Sequence, residues 1–161
     1  MSNGRDTDRT ETALATLRRA LEDSVVEVRR EAALALGQLG DVDSAAALAR
    51  ALASDSEPVR RAAALALGRI STADARTALL AALRADISVW REAAVGLSRH
   101  HEPDVVDGLT ELLANPDADE HSRRGAALAL GALLASEPLS METAVGATAF
   151  EDERGRLHVM L

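Results

Sequence analysis

The chain has no cysteine, which excludes disulfides and thiolate chemistry. It has no lysine and no tyrosine, and only one phenylalanine and one tryptophan. Side chains that could stack on nucleic-acid bases or on a planar cofactor are therefore almost missing. All 18 basic residues are arginine, against 26 acids, giving a net charge of −8. That balance disfavours sequence-blind attraction to nucleic acid or to anionic lipid, and neither is expected as a partner. No apolar run nears the roughly 18 residues of a membrane span. The opening MSNGRDTDRT also lacks the apolar stretch of a signal peptide. A soluble cytoplasmic protein is the expectation.

What the chain does contain is alanine and leucine, which supply most of its apolar surface and lead the helix-propensity ranking. They also recur in order. VRREAALALG at 28–37 returns as VRRAAALALG at 59–68, VWREAAVGLS at 89–98 and SRRGAALALG at 122–131, at intervals of 31, 30 and 33 residues. A period of this size marks stacked supersecondary units in place of one globular core.

Each unit reads as two helices. First helices are expected at 11–22, 43–53, 73–85 and 104–114, and second helices at 26–39, 57–70, 87–99 and 120–134. Ser24, Ser54 or Asp55, and Asp119 are suitable N-caps, Pro58 and Pro103 suit first turns, and Gly40 suits a C-terminal cap. On a helical wheel Val28, Ala32, Ala35, Leu36 and Leu39 form a stripe toward the first helix of the same unit. Leu34 lies far round the wheel. It is matched by Leu65, Val95 and Leu128, so a neighbouring unit should cover this column. The fold class is all-α: a short solenoid of four helix pairs over 11–134, with a disordered tail at 1–10. Residues 135–161 break the repeat and should cap its open end. A helix at about 140–151 and a β-hairpin turning at DERGR, 152–156, remain open there. The apolar ending LHVML needs covering, by the solenoid or by a second chain.

The helix pair, the Asp before the second helix, the Val-Arg and the AALALG run resemble the HEAT-like repeats of the phycobilin-lyase type. The resemblance implies an Asp–Arg ladder between repeats, carried by Asp23 with Arg29, Asp55 with Arg60, and Asp117 with Arg123. Trp90 stands where the third repeat would have its Arg. HEAT-like deoxyhypusine hydroxylase holds iron through His-Glu pairs just before such a run. Here the matching pairs are Arg30-Glu31, Arg61-Ala62, Arg91-Glu92 and Arg124-Gly125, so that pattern fails at every position.

Arg30, Arg61, Arg91 and Arg124 repeat identically in all four units. They are the candidate contacts for an acidic protein partner on the concave surface of the second helices; Trp90 reads as a further contact there or, more simply, as a packing substitution between repeats. Pairing with local acids such as Glu27, Glu57 and Glu92 is the alternative. His100, His101 and Glu102, with Asp119, Glu120 and His121 one repeat later, are the nearest approach to a metal cluster. Solvent-exposed loop histidines are the simpler expectation. No catalytic, cofactor or metal site is expected, no P-loop or nucleophile elbow occurs, and the chain is expected to be a scaffold or adaptor and not an enzyme. A bilin-lyase-like subunit handling a linear tetrapyrrole, and a structural subunit self-associating through its C-terminal segment, are the competing expectations.

Overall fold

The computed structural model describes residues 3–136, 139–146, 149–151 and 157–159. Eight helices build four antiparallel pairs: α1 (Asn3–Ala20) with α2 (Val26–Leu39), α3 (Ala45–Ser54) with α4 (Glu57–Leu67), α5 (Ala73–Ala85) with α6 (Trp90–Leu97), and α7 (Pro103–Ala114) with α8 (Glu120–Ala135). Successive second helices α2, α4, α6 and α8 touch one another, as do the first helices α3, α5 and α7. The result is an α-solenoid of two helical layers.

Between the layers lies a continuous core of small and aliphatic side chains. Leu36, Leu48, Leu67, Leu79, Leu97 and Leu109 are fully buried, each contributing about 1.5–3 kcal/mol through removal from water. The recurring phrase also lets the second helices approach closely. Gly37, tenth in its phrase, sits so near the eighth residue of the next phrase that an added Cβ would fall 2.5 Å from the Cα of Ala66. Gly68 repeats the contact against Gly96.

The helix ends correct several expectations. Gly40 closes α2 in the left-handed region, φ 64, with its N–H on the Gly37 carbonyl and that of Asp41 on the Leu36 carbonyl. Asp119 caps α8 by accepting from the Ser122 N–H. Ser24 and Ser54 do not cap. The caps are Val25 for α2 and Ser56 for α4, and neither makes a side-chain cap bond. Instead the Asp23 carboxylate accepts the N–H of Val25 and that of Asp55 accepts from Ser56.

Where a disordered tail was expected at 1–10, α1 runs from Asn3. Residues 6–13 are exposed: they lack a face to bury but keep helical propensity, and no proline interrupts them. The side-chain hydroxyls of Thr10, Thr12 and Thr16 donate to carbonyls four residues back. The wheel also misplaces Val28 and Leu39, which are 41% and 62% exposed. Val59, Val89 and Ser122, at the position of Val28, are buried, because each has a preceding helix pair to cover it.

Beyond α8 the chain forms a short helix α9 (Met141–Gly146) and then an antiparallel strand pair, β1 (Ala149–Glu151) with β2 (Leu157–Val159), in the register Ala149↔Val159. The expected DERGR turn and the final two residues lie outside the described residues.

Candidate protein-binding face

The third, seventh and eleventh residues of each phrase are four apart. At 100° per residue they fall within roughly 80° of one another on the helix surface. In the stack this places three rows side by side on the face of the second helices. One row is Arg30, Arg61, Arg91 and Arg124. The middle row is apolar: Leu34, Leu65, Val95 and Leu128. The far row is Gln38, Arg69, Arg99 and Ala132.

Sequence reasoning missed the far row. Its signal was there, eight residues beyond each arginine of the first row in repeats two and three, just past the end of the recurring phrase. Arg69 and Arg99 are exposed, and among the described residues neither makes an ion pair. Both follow the ends of second helices, where the dipole favours a cation.

The first row is engaged locally. Arg30 meets Glu31 at 2.6 Å. Arg61 meets Glu57 at 2.7 Å and the buried Glu92 at 3.7 Å, and donates from Nε to the Ser88 carbonyl. Arg30 and Arg61 nonetheless keep nearly half of their side-chain surface open. Arg91 and Arg124 also meet an aromatic: their guanidinium carbons stand 4.5 and 5.3 Å from the ring centre of Trp90, and Arg124 meets Glu120 at 3.6 Å. Trp90 itself is 2% exposed and meets the His121 ring edge-on at 5.8 Å. It packs beside Gly125, where an added Cβ would strike Leu83 and approach the indole.

Between the rows lies a groove. A cavity of about 250 Å3 is lined by Leu34, Gln38, Leu65, Arg69, Val95 and Arg99, and bounded by Ser140 and Met141. A second depression, about 280 Å3, shares Leu34 and Leu65 and is bordered by Arg30 and Arg61. Further along, the chain covers its own surface. Leu139 and Ala144 are buried against Val95 and Ala132, with Leu128 and Met141 packed beside them. The Leu139 N–H donates to Ser98 Oγ at 3.0 Å.

The ladder runs one repeat further than intra-unit spacing suggests. Arg29 binds Asp55 of the next unit through Nε and Nη2, while Nη1 donates to the carbonyl of its own Asp23. Arg60 likewise binds Asp86 and Ser88 ahead and the Asp55 carbonyl behind. The Arg29 guanidinium holds the Asp55 carboxyl below its ordinary range, against an opposing effect of burial. At Asp86 burial pushes upward, but hydrogen bonds from Ser88 and Arg60 outweigh it. Trp90 ends the series. On the first-helix side, unforeseen, Arg18 clamps Asp41 at 2.5 Å and Arg76 binds Asp104 at 2.9 Å.

His100 overturns the expectation of an exposed loop histidine. It is 2% exposed, with Nε2 3.3 Å from the Leu67 carbonyl. A carbonyl only accepts, so Nε2 carries the proton. Burial pushes the imidazole below its ordinary pKa. Nδ1 faces Glu102 Oε2 at 3.9 Å. Asp119 caps a helix and His121 packs on Trp90, so the six residues do not converge. Among the described residues no three His, Cys, Asp or Glu could hold a metal ion.

The sequence matches the HEAT repeats family over residues 4–68 and the PBS lyase HEAT-like repeat over 59–85. No curated protein sequence matches it. Human deoxyhypusine hydroxylase, solved in complex with glycerol, is similar at 28% identity and a TM-score of 0.63, over 76% of this chain and 43% of that one. A chain of the CpcE–CpcF complex of phycocyanin lyase from Nostoc sp. PCC7120 is similar at 23% identity and a TM-score of 0.61, over 83% of this chain and 62% of that one. This chain thus spans less than two thirds of either protein chain. The first similar structure is an enzyme and the second belongs to a lyase. The expectation that this chain is not an enzyme is therefore withdrawn, since stacks of this kind carry catalysis elsewhere. The phrase, the helix pairs, the ladder and the two family matches agree: this chain is a HEAT-like repeat protein of the PBS lyase repeat type.

Proposed function

We propose that the chain is a repeat scaffold that binds a protein partner on the face of its second helices, with Arg30 and Arg61 as polar contacts. The observation that supports this most is the groove, an apolar floor bordered by half-open guanidinium groups. Arg91 and Arg124 belong to the same row, and Trp90 holds them in place by stacking. Trp90 is thereby a support for the surface and not its anchor. Such contacts favour an acidic partner surface. The similar CpcE–CpcF chains work as a complex, which fits a function exercised through a partner.

Affinity capture from the native host, with mass spectrometry at low and high salt, tests the reading. The double variant Arg30→Glu, Arg61→Glu should lose a salt-sensitive partner while keeping its helical signal. Equal capture by both forms would reject the face.

A second reading, favoured by the repeat match at 59–85, is a lyase-like subunit handling a linear tetrapyrrole. The bilin's propionates would meet the same arginines. Mixing the purified chain with a bilin should then shift the visible absorbance, and an unchanged spectrum dismisses it.

A further inference from the structure

The middle row of the second-helix face is one apolar strip, but its two halves differ. Toward the C-terminus the far row ends in Ala132, and the chain lays Leu139 and Ala144 over the strip. Toward the N-terminus the far row is Gln38, Arg69 and Arg99, and the half-buried Leu34 and Leu65, the latter at the edge of the covered part, line an open cavity. Ser140 and Met141 mark where one half gives way to the other. The molecule therefore shows what its own strip accepts: a short segment presenting apolar side chains. It also shows what changes in the open half, since arginine replaces alanine beside the floor.

Resting on the docking face proposed above, we propose that the open half binds a short acidic segment of a partner protein. That segment would abut Met141 and set a large apolar side chain between Leu34 and Leu65. Its carboxylates would meet Arg69 and Arg99. Three observations carry this. The floor continues the strip on which the chain's own segment already sits. Among the described residues Arg69 and Arg99 pair with no acid, whereas Arg30 and Arg61 do, so the far row is the side that a new carboxylate would neutralise. The cavity, about 250 Å3, is smaller than the roughly 300–1,000 Å3 of small-molecule sites. It suits an inserted side chain better than a whole metabolite.

The test uses the full chain and three fluorescein-labelled twelve-residue peptides, alternating Glu with Leu, Lys with Leu, and Glu with Ser, followed by fluorescence anisotropy. The Glu–Leu peptide should bind at least tenfold tighter than the other two. Arg69→Glu with Arg99→Glu, both exposed positions, should weaken it at least tenfold and reverse the preference toward Lys–Leu. Leu34→Ala, at a half-buried floor position that also packs on the core, should weaken it while the helical signal is kept. Equal binding of the Glu–Leu and Glu–Ser peptides, or indifference to the arginine reversal, would overturn the proposal. If Arg30→Glu, Arg61→Glu abolishes capture of the native partner while the Arg69, Arg99 reversal does not, the segment site fails and the wider docking face stands. If neither double variant affects capture, both fall.

Discussion

Replacing Gly37 by alanine adds one methyl group where α2 and α4 come closest. In a helix interior that exchange ordinarily stabilises, by up to about 1 kcal/mol, because glycine loses more backbone freedom on folding. Here the new carbon would sit 2.5 Å from Ala66 Cα and 2.6 Å from Ala66 Cβ. No rotamer relieves a collision with backbone, so the two helices must part. Forced overpacking of this kind costs about 1–3 kcal/mol, which leaves a net loss of about 1–2 kcal/mol. Gly131 occupies the same phrase position in the last repeat, inside α8, and an added Cβ there meets nothing within 4 Å. Gly131→Ala should therefore stabilise by up to about 1 kcal/mol. Urea titration followed by circular dichroism at 222 nm would compare them. With a slope of about 2 kcal/mol/M the Gly37→Ala midpoint should fall by about 0.5–1 M and the Gly131→Ala midpoint should rise by up to about 0.5 M. A Gly37→Ala protein as stable as the parent, or a Gly131→Ala protein that loses as much, would refute the idea that this column sets the helix spacing.

Three further outcomes can be checked. The carboxyls of Asp41 and Asp55 are held low chiefly by their arginine hydrogen bonds. The stability they contribute is full above about pH 4 and is lost as pH falls through their lowered native values. Asp55→Asn should lower the urea midpoint at pH 7 and flatten its fall in acid, and an unchanged pH profile would count against the ladder. His100 is depressed by burial, so below about pH 6.5 the unfolded chain takes up a proton first and stability declines toward the native value. His100→Gln should remove that decline, measured as midpoint against pH. Trp90, at 2% exposure, should emit in the blue and resist acrylamide quenching, and Trp90→Ala should lose about 3–5 kcal/mol. A red-shifted, freely quenched emission would place the indole elsewhere.

Period and composition made the helix pairs legible, because a face that must be buried leaves its spacing in the chain. Leu36, Leu67 and Leu97 are in the core where the wheel puts them. A wheel describes one helix and not its neighbours, and that is where it failed. Val28 and Val59 are equivalent on paper, yet only Val59 has a preceding pair to shield it. The ladder was visible as Asp and Arg, but which carboxylate each arginine takes depends on the offset between units, so Arg29 reaches Asp55. His100 was misjudged because its neighbours His101 and Glu102 are polar, while its own side chain lies beneath the end of α4. Within the candidate face the first arginine row was plain from its repetition. Arg69 and Arg99 escaped notice because the phrase had ended, although the helical surface had not.

The ladder has a consequence for growth. The second unit holds a donor, Arg60, for the unit ahead and an acceptor, Asp55, for the unit behind, so a copy of it would arrive already matched at both junctions. Tandem duplication could lengthen such an array with no compensating substitution. The exchange of Arg for Trp90 breaks that interchangeability and gives the fourth pair a junction of its own, so shuffled units could join anywhere except there.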